Sequence, residues 1–207
     1  MVLLNQQRSN KAKMNTFFTN KPQTLLDLYN AVDPKKSINF IKSQNEVVSL
    51  TYLQLKEEAL KKLGFLQSKG IPTGNPIIII LPDPSDFISM FWASIFGSFI
   101  AVPLSITDNE SGAKKLIHII KELKDPFVIT DENLSNSFIN KTGVFKSIEL
   151  PEEKIISFEQ FTSNFEGKIE SKVSKDDIAY LQYSSGSTSN PKGIIMKHRN
   201  VIYNIDS

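Results

Sequence analysis

The 207-residue sequence contains no cysteine, and that absence excludes several kinds of chemistry. Disulfide bonds, thiolate zinc sites and cysteine nucleophiles all require this side chain. A protein that needs no disulfide bonds is suited to a reducing compartment, so we expect a cytoplasmic location.

An excess of either charge is also absent. The chain has 24 Lys and Arg residues against 22 Asp and Glu residues, and they are scattered rather than gathered in blocks. Nucleic acids and anionic lipid surfaces select concentrated positive charge. The composition therefore argues against a nucleic acid partner and favours a small molecule or another protein.

Long apolar runs are scarce, and a run of 21 residues without a charge spans 87–107. Its length would admit a membrane span. Serine and glycine residues interrupt it, however, Pro103 lies near its end, and a strand-like run at 77–81 precedes it. This context predicts a buried helix followed by a buried strand, and no membrane span.

The N-terminal segment 1–20 is polar and rich in Asn, Lys and Gln. It lacks the apolar stretch and the small-residue cleavage site of a signal peptide, so we interpret it as a flexible leader. With 40% hydrophobic residues in the whole chain, the remainder can build a substantial core. We therefore predict one domain over 21–207.

The order of the predicted elements indicates an α/β fold with a mostly parallel sheet flanked by helices. A helix at 24–32 and a strand pair come first. Helices and strands then alternate, with helices at 85–98 and 112–123 and strands at 77–81, 100–104 and 127–130. A further helix between the cap Thr51 and the stop Gly70 has an apolar face that includes Leu53, Leu55 and Leu63.

The second half of the chain is less regular. We predict two strands at 144–150 and 154–158 and a polar connector at 162–175. A strand at 178–183, a loop at 184–191, a strand at 193–197 and the first turns of a helix after Asn200 complete the chain.

Residues 183–193 read Tyr-Ser-Ser-Gly-Ser-Thr-Ser-Asn-Pro-Lys-Gly, between two apolar strands. Hydroxyls and backbone N–H groups can donate to phosphate oxygens, glycine lets the backbone approach, and lysine adds a positive charge. A Walker loop needs glycine directly before the lysine and a helix after it, so this is a different phosphate loop. The predicted phosphate ligands are Ser184, Ser185, Gly186, Ser187, Thr188 and Lys192.

A solvent-exposed Ser/Gly/Asn turn is the alternative interpretation, because these residues also dominate ordinary turns. The fixed order of Ser-Gly-Ser-Thr, then Pro-Lys-Gly, then an apolar strand and His198 favours the phosphate interpretation.

These residues resemble the signature loop of the adenylate-forming superfamily, which includes acyl-CoA synthetases, luciferases and adenylation domains of peptide synthetases. The tail His198-Arg199-Asn200 matches the family's His-x-Asn, and segments 50–55 and 91–104 resemble its two earlier motifs. Segment 181–189 is similar to fatty acyl-AMP ligases and to loading domains of polyketide and peptide synthetases. Ser189 stands where the common members of the superfamily have glycine. This replacement fits either the fatty acyl-AMP ligase branch or an altered mobility of the loop.

The resemblance implies the N-terminal subdomain of the acyl-adenylate synthetase fold, with ATP and Mg²⁺ as cofactors. A carboxylic acid, of the fatty acid class, would be activated as acyl-AMP with release of pyrophosphate. The acyl group would then pass to the phosphopantetheine thiol of an acyl or peptidyl carrier protein, or to coenzyme A.

In the family the adenine pocket, the metal-binding acidic residue, the ribose-binding Asp and the catalytic Lys all follow this loop. The resemblance therefore implies that 21–207 is a partial N-terminal AMP-binding domain, without its C-terminal remainder and the small C-terminal domain. It implies no catalytic residue and no metal ligand within this chain, which we expect to be inactive without the remainder of its ligase. A non-catalytic docking or structural module of a multienzyme synthetase is the alternative function.

Other candidate residues have structural interpretations. His118 lies among apolar residues and is predicted to be a half-buried helix residue rather than a base. Asp83 and Asp86 are expected to cap the helix that follows them rather than to bind a metal. The sequence His198-Arg199-Asn200 lacks the Asp of the kinase catalytic loop, which excludes that interpretation.

Overall fold

The computed structural model describes residues 21–43, 46–162, 165–184 and 191–206. The predicted leader 1–20 lies outside these ranges. The helices of the described residues are α1 (Leu25–Ala31), α2 (Tyr52–Ser68), α3 (Pro84–Phe96), α4 (Glu110–Leu123), α5 (Glu132–Ile139) and α6 (His198–Asp206). The strands are β1 (Ser37–Ser43), β2 (Glu46–Thr51), β3 (Pro76–Ile80), β4 (Ile100–Pro103), β5 (Phe127–Thr130), β6 (Ile155–Ser157), β7 (Ile178–Ser184) and β8 (Lys192–Lys197).

The main sheet has six strands in the order β6-β5-β3-β4-β7-β8. All neighbours in it are parallel except β7 and β8, which form an antiparallel pair. Strands β1 and β2 make a separate antiparallel pair. The predicted α/β class with a mostly parallel sheet is confirmed.

Helices cover both faces of this sheet. Ile77 and Ile79 of β3 pack in one apolar cluster with Phe96 of α3 and residues of α2. Ile78 of β3 packs in a second cluster with Leu116 of α4. Because successive strand residues point to opposite faces, a run of isoleucines can contribute to both clusters at once.

Local capping signals begin two of the helices as predicted. Thr51 and Gln54 form a reciprocal capping box at the start of α2, and Asp83 accepts the N–H groups of Ser85 and Asp86 at the start of α3. Gly70 follows the end of α2 with a φ of +71°, a left-handed conformation that glycine adopts without strain.

The uncharged run 87–107 forms most of α3 and the whole of β4, as expected. Ile95, Phe96, Phe99 and Ala101 within it are at most 2% exposed. Among the described residues, the helices are too short or too polar to cross a bilayer.

Three details of the sequence-based prediction are wrong. The segment 144–150 has no strand but a 3-10 turn at Gly143–Phe145, where Phe145 and Ile148 enter the core as separate anchors. Leu53 is 53% exposed, because it lies two residues, or about 200° of helical rotation, from the buried Leu55. Helix α5, capped by Asp131, occupies part of a region predicted to be irregular. The predicted strand at 154–158 is confirmed as β6.

Candidate functional site

The serine-rich segment follows the carboxyl end of β7. Tyr180 of β7 pairs in parallel with Ala101 of β4, so β7 ends at the same edge of the sheet as β3, β4 and β5. Open α/β sheets bind ligands at this edge. The position of the segment therefore agrees with a binding site.

The chain also reverses its direction of winding at this edge. It moves from β3 to β4 on one side and then returns to β5 on the other side of β3. Its connecting helices α3 and α4 pack on opposite faces of the sheet. Such a switch point opens a crevice at the carboxyl ends of the strands, and β7 lies beside it next to β4.

The predicted phosphate ligands lie partly outside the described residues. Ser185, Gly186, Ser187 and Thr188 belong to the range 185–190, which the structure does not describe. Ser184 ends β7 and Lys192 begins β8, and the two residues pair across the antiparallel ladder. The structure thus brings the first and last predicted ligands together at the base of the loop, where the Lys192 side chain is exposed.

A close ring contact stabilises the base of this hairpin. Tyr183 pairs with Gly193 across the ladder, and a Cβ atom at Gly193 would lie 2.9 Å from Tyr183 Cζ. The aromatic ring therefore covers the glycine, a known way of stabilising glycine within strands. The ring contact requires glycine at the last position of the Pro-Lys-Gly motif, a role that the local sequence pattern does not reveal.

The hydroxyl of Tyr183 anchors β7 to helix α4. Burial raises the pKa of Tyr183 to about 12, and the charge of Glu122 together with a hydrogen bond to its carboxylate acts in the same direction. The hydroxyl is therefore protonated at neutral pH and donates to Glu122. This contact holds the residue that directly precedes the serine-rich loop.

His198 anchors the other end of the hairpin. Its side chain is only 2% exposed, and its Nδ1 accepts the N–H of Leu25, the first residue of α1, at 3.2 Å. The backbone N–H of His198 donates to the backbone carbonyl oxygen of Asp177 at 3.2 Å. Burial lowers the pKa of His198, although the charges of Asp177 and Asp27 oppose that shift. His198 thus links the end of β8 to α1 through its neutral imidazole and to the residue before β7 through its backbone N–H.

The two residues after His198 also have structural contacts. Asn200 Oδ1 accepts the N–H of Lys197 at 3.0 Å, which caps the start of α6. The Arg199 guanidinium lies 2.7 Å from Asp176 Oδ1, with both side chains about half exposed. The tail of the motif therefore attaches the hairpin to its surroundings.

Other titratable groups form no metal centre in the part of the chain that the structure describes, where no three His, Asp or Glu side chains are grouped closely enough to hold an ion. His118 is half-buried on α4, as predicted, with its Nε2 3.8 Å from Glu122 Oε2.

A cleft of about 710 Å³ lies at the amino ends of β4 and β7, lined by residues such as Ser98 and Lys197. It is on the opposite edge from the serine-rich loop and is not part of the candidate site.

Comparison with known proteins identifies the family of this chain. Residues 30–207 match the family described as AMP-binding enzyme. The chain belongs to the AMP-binding enzyme family. Its relatives include a medium-chain fatty acid ligase, a nonribosomal peptide synthetase and a polyketide synthase.

Three similar proteins illustrate this membership of the AMP-binding family. The chain is 26% identical over 197 residues to a medium-chain-fatty-acid–acyl-carrier-protein ligase, JamA of Moorena producens, covering 88% of this chain and 32% of the relative. A solved structure of McyG A-PCP complexed with phenylalanyl-adenylate is 28% identical with a TM-score of 0.77, covering 90% and 34% of the two chains. The fatty acyl-adenylate ligase of L. pneumophila, in complex with acyl adenylate and pyrophosphate, is 25% identical with a TM-score of 0.71, covering 90% and 32%.

The chain thus spans about a third of the length of these AMP-binding relatives. Its fold matches the N-terminal subdomain of adenylation domains, which is the fold class expected from the sequence.

Proposed function

We propose that this chain is the N-terminal part of an ATP-dependent ligase that activates a carboxylic acid, of the fatty acid class, as acyl-AMP. The observation that carries the proposal is the position of a Ser/Thr/Gly loop ending in Lys192, between antiparallel strands at the carboxyl edge of the sheet. Membership of the AMP-binding family and similarity to fatty acyl ligases support the same reaction class.

In the proposed reaction a carboxylate oxygen attacks the α-phosphorus of ATP and the bond to the bridging oxygen of pyrophosphate breaks. Both reactants are anions, so neutralisation of charge is the main requirement. The hydroxyls of Ser184, Ser185, Ser187 and Thr188, the N–H of Gly186 and the ammonium of Lys192 would donate to the β- and γ-phosphates. Mg²⁺ bound to the phosphates would add further positive charge.

The residues around the loop would fix its two ends during this step. Tyr183 holds the incoming strand to α4 through Glu122, and its ring covers Gly193 on the outgoing strand. A phosphate-binding loop acts best when its donors are positioned before the ligand arrives, because no reorganisation is then needed. The hairpin would supply that positioning at the two ends of the loop.

The activated acyl group would then pass from acyl-AMP to a thiol, with AMP as the leaving group. We propose the phosphopantetheine arm of an acyl or peptidyl carrier protein as acceptor, with coenzyme A as the alternative thiol. The similarity to a ligase named for an acyl carrier protein and to an A-PCP structure supports this choice.

The remaining parts of the active site would come from the rest of the ligase. This chain covers about a third of its relatives, so we propose that 21–207 is an incomplete AMP-binding domain and that no catalytic group lies within it. We place the reaction in the cytoplasm, in agreement with the absence of cysteine.

Titration calorimetry with ATP and Mg²⁺, on the chain extended with the remainder of its ligase, tests the phosphate loop. Removing a charged donor costs about 1.5–3 kcal/mol, so Lys192→Ala should weaken ATP binding by roughly ten- to a hundredfold, and Ser187→Ala should weaken it further. Lys197→Ala is the matched control, because it removes the same charge from the other end of β8, about 17 Å away.

Equal affinities for the wild type, Lys192→Ala and Lys197→Ala would contradict the assignment of this loop. Absence of ATP binding by the chain extended with the remainder of its ligase would favour the alternative function, a non-catalytic docking or structural module.

A further inference from the structure

Helix α1 begins with a hydrogen bond that a distant part of the chain supplies. The first N–H groups of a helix have no partner within it, and the Thr24 side chain accepts the one of Asp27. The N–H of Leu25 donates instead to Nδ1 of His198 at 3.2 Å, across 173 residues of sequence. A helix of seven residues is unstable by itself, so α1 depends on such tertiary contacts.

The imidazole of His198 lies in an apolar environment. It is 2% exposed, and its partner Leu25 belongs to a small apolar cluster with Ile95 of α3 and Ala179 of β7. A neutral imidazole can accept a hydrogen bond at Nδ1, whereas a protonated one carries an N–H at both nitrogens and cannot. The bond to α1 therefore exists only while His198 is neutral.

The charges around His198 come from three parts of the chain. Asp27 of α1 and Asp177, which precedes β7, are both acidic and favour a proton on the ring. Arg199, the next residue of α6, lies 2.7 Å from Asp176 and is paired there. Burial outweighs the two carboxylates and lowers the pKa of His198, so the ring is neutral at pH 7.

We propose that His198 is a positioning residue for the phosphate loop, because it attaches the strand that carries Lys192 to helix α1. The proposal rests on the proposed function, since it concerns the same loop. Strand β8 begins at Lys192 and ends directly before His198, so about 20 Å of extended chain joins the two residues. The backbone bond from His198 to Asp177 joins the same point to the start of β7, the strand that leads into the loop.

The hairpin that carries the loop thus has an anchor at each end. The ring contact of Tyr183 with Gly193 holds the end next to the loop, and His198 holds the far end. Without the bond to α1, the hairpin loses one of its attachments to the domain, and the donors of the loop are placed less accurately. Donors act best when they are positioned before ATP arrives, so the affinity for ATP depends on a residue that does not touch it.

Titration calorimetry with ATP and Mg²⁺ at pH 7.5, on the chain extended with the remainder of its ligase, tests the bond to α1. Leu25→Pro removes the N–H donor at the first helical position, where proline is tolerated. Leu25→Ala is the matched control, because it also loses the leucine side chain but keeps the N–H. We expect Leu25→Pro to bind ATP about tenfold more weakly than Leu25→Ala, the effect of about one hydrogen bond. In a His198→Ala background the two variants should bind ATP equally, because the acceptor is then absent from both.

The pH profile of ATP binding separates positioning from a merely structural role. His198→Asn keeps an acceptor near the position of Nδ1 without titrating, so it should bind ATP as well as the wild type does at pH 7.5. The affinity of the wild type, divided by that of His198→Asn, should fall about threefold between pH 7.5 and pH 5. Protonation of ATP itself cancels in this ratio. An effect of charge alone would have the opposite sign, because a protonated imidazole attracts the ATP anion.

A cooperative urea transition checks that each variant is folded. Equal ATP affinities for folded Leu25→Pro and Leu25→Ala, or a wild-type to His198→Asn ratio that stays constant or rises as the pH falls, would overturn the proposal. In that case ATP binding by the extended wild type would leave the loop assigned and remove only the role of His198. Absence of ATP binding by the extended wild type would contradict the proposed function and this inference with it.

Discussion

The ring of Tyr183 lies against Gly193 on the neighbouring strand, at a distance that leaves no room for a Cβ atom at the glycine. Tyr183 directly precedes the serine-rich loop and Gly193 follows it by two residues. The contact therefore determines how the two strands leave the candidate phosphate site.

Gly193→Ala should destabilise the protein by about 1–3 kcal/mol, the usual cost of an added group in a filled space. The expected measurement is the midpoint of urea unfolding. Tyr183→Leu removes the ring, so Gly193→Ala should have a smaller effect in that background. An identical loss of stability in both backgrounds would mean that the ring contact is not the cause.

The stability of the protein should decrease as the pH falls below about 6.5, the ordinary pKa of histidine, because of His198. Burial lowers the pKa of His198 in the folded state, so the unfolded state binds the proton first. The contribution of His198 to the free energy of unfolding is thus fully present above the pKa that this histidine has in the unfolded state. It is lost as the pH falls towards the lower pKa of the folded state. Protonation of Nδ1 would also break the hydrogen bond from Leu25.

Urea midpoints between pH 7.5 and pH 5.5 measure this effect. His198→Asn retains a hydrogen-bond acceptor without titrating, so its stability should change less over the range than that of the wild type. His118→Gln is the control, because His118 lies at the surface of α4 with a side chain 39% exposed. A pH slope that disappears in His118→Gln and persists in His198→Asn would reverse the assignment.

Thr130→Val should stabilise the protein by about 1 kcal/mol. The Thr130 hydroxyl is buried at the end of β5 and has no hydrogen-bond partner among the residues that the structure describes, so its replacement by a methyl group removes a desolvation penalty. Ser157→Ala on the adjacent strand provides the contrast, because the Ser157 hydroxyl donates to the Glu159 carboxylate and its removal should destabilise. Destabilisation by Thr130→Val would contradict this account and show that the hydroxyl stabilises the fold.

The 207-residue chain by itself should release no pyrophosphate when mixed with ATP, Mg²⁺ and a medium-chain fatty acid. The reason is that catalytic groups of the proposed ligase lie outside it. A coupled pyrophosphate assay measures this directly, with the L. pneumophila fatty acyl-adenylate ligase as the positive control. Steady turnover that is lost in Lys192→Ala would show that the chain is a complete catalyst and would contradict the proposed division of the active site.

The sequence alone determined the local features of the protein. The isoleucine run of β3, the caps Thr51 and Asp83, and the glycine after α2 act within a few residues, so their effect is visible in the pattern of side chains. The placement of the serine-rich loop between two strands was predictable for the same reason. The alternation of helices and strands was enough to predict a mostly parallel sheet.

Only the tertiary structure decided which distant residues meet. His198 and Leu25 are 173 residues apart, and the burial that joins them depends on how α1 and α6 pack against the sheet. The ring contact of Tyr183 with Gly193 depends on the strand register. Phe145 and Ile148 are buried in the core although they lie in no strand, because burial of an apolar side chain is favourable in any backbone conformation. Such contacts depend on chain packing over long sequence separations, which a local pattern of residues does not specify.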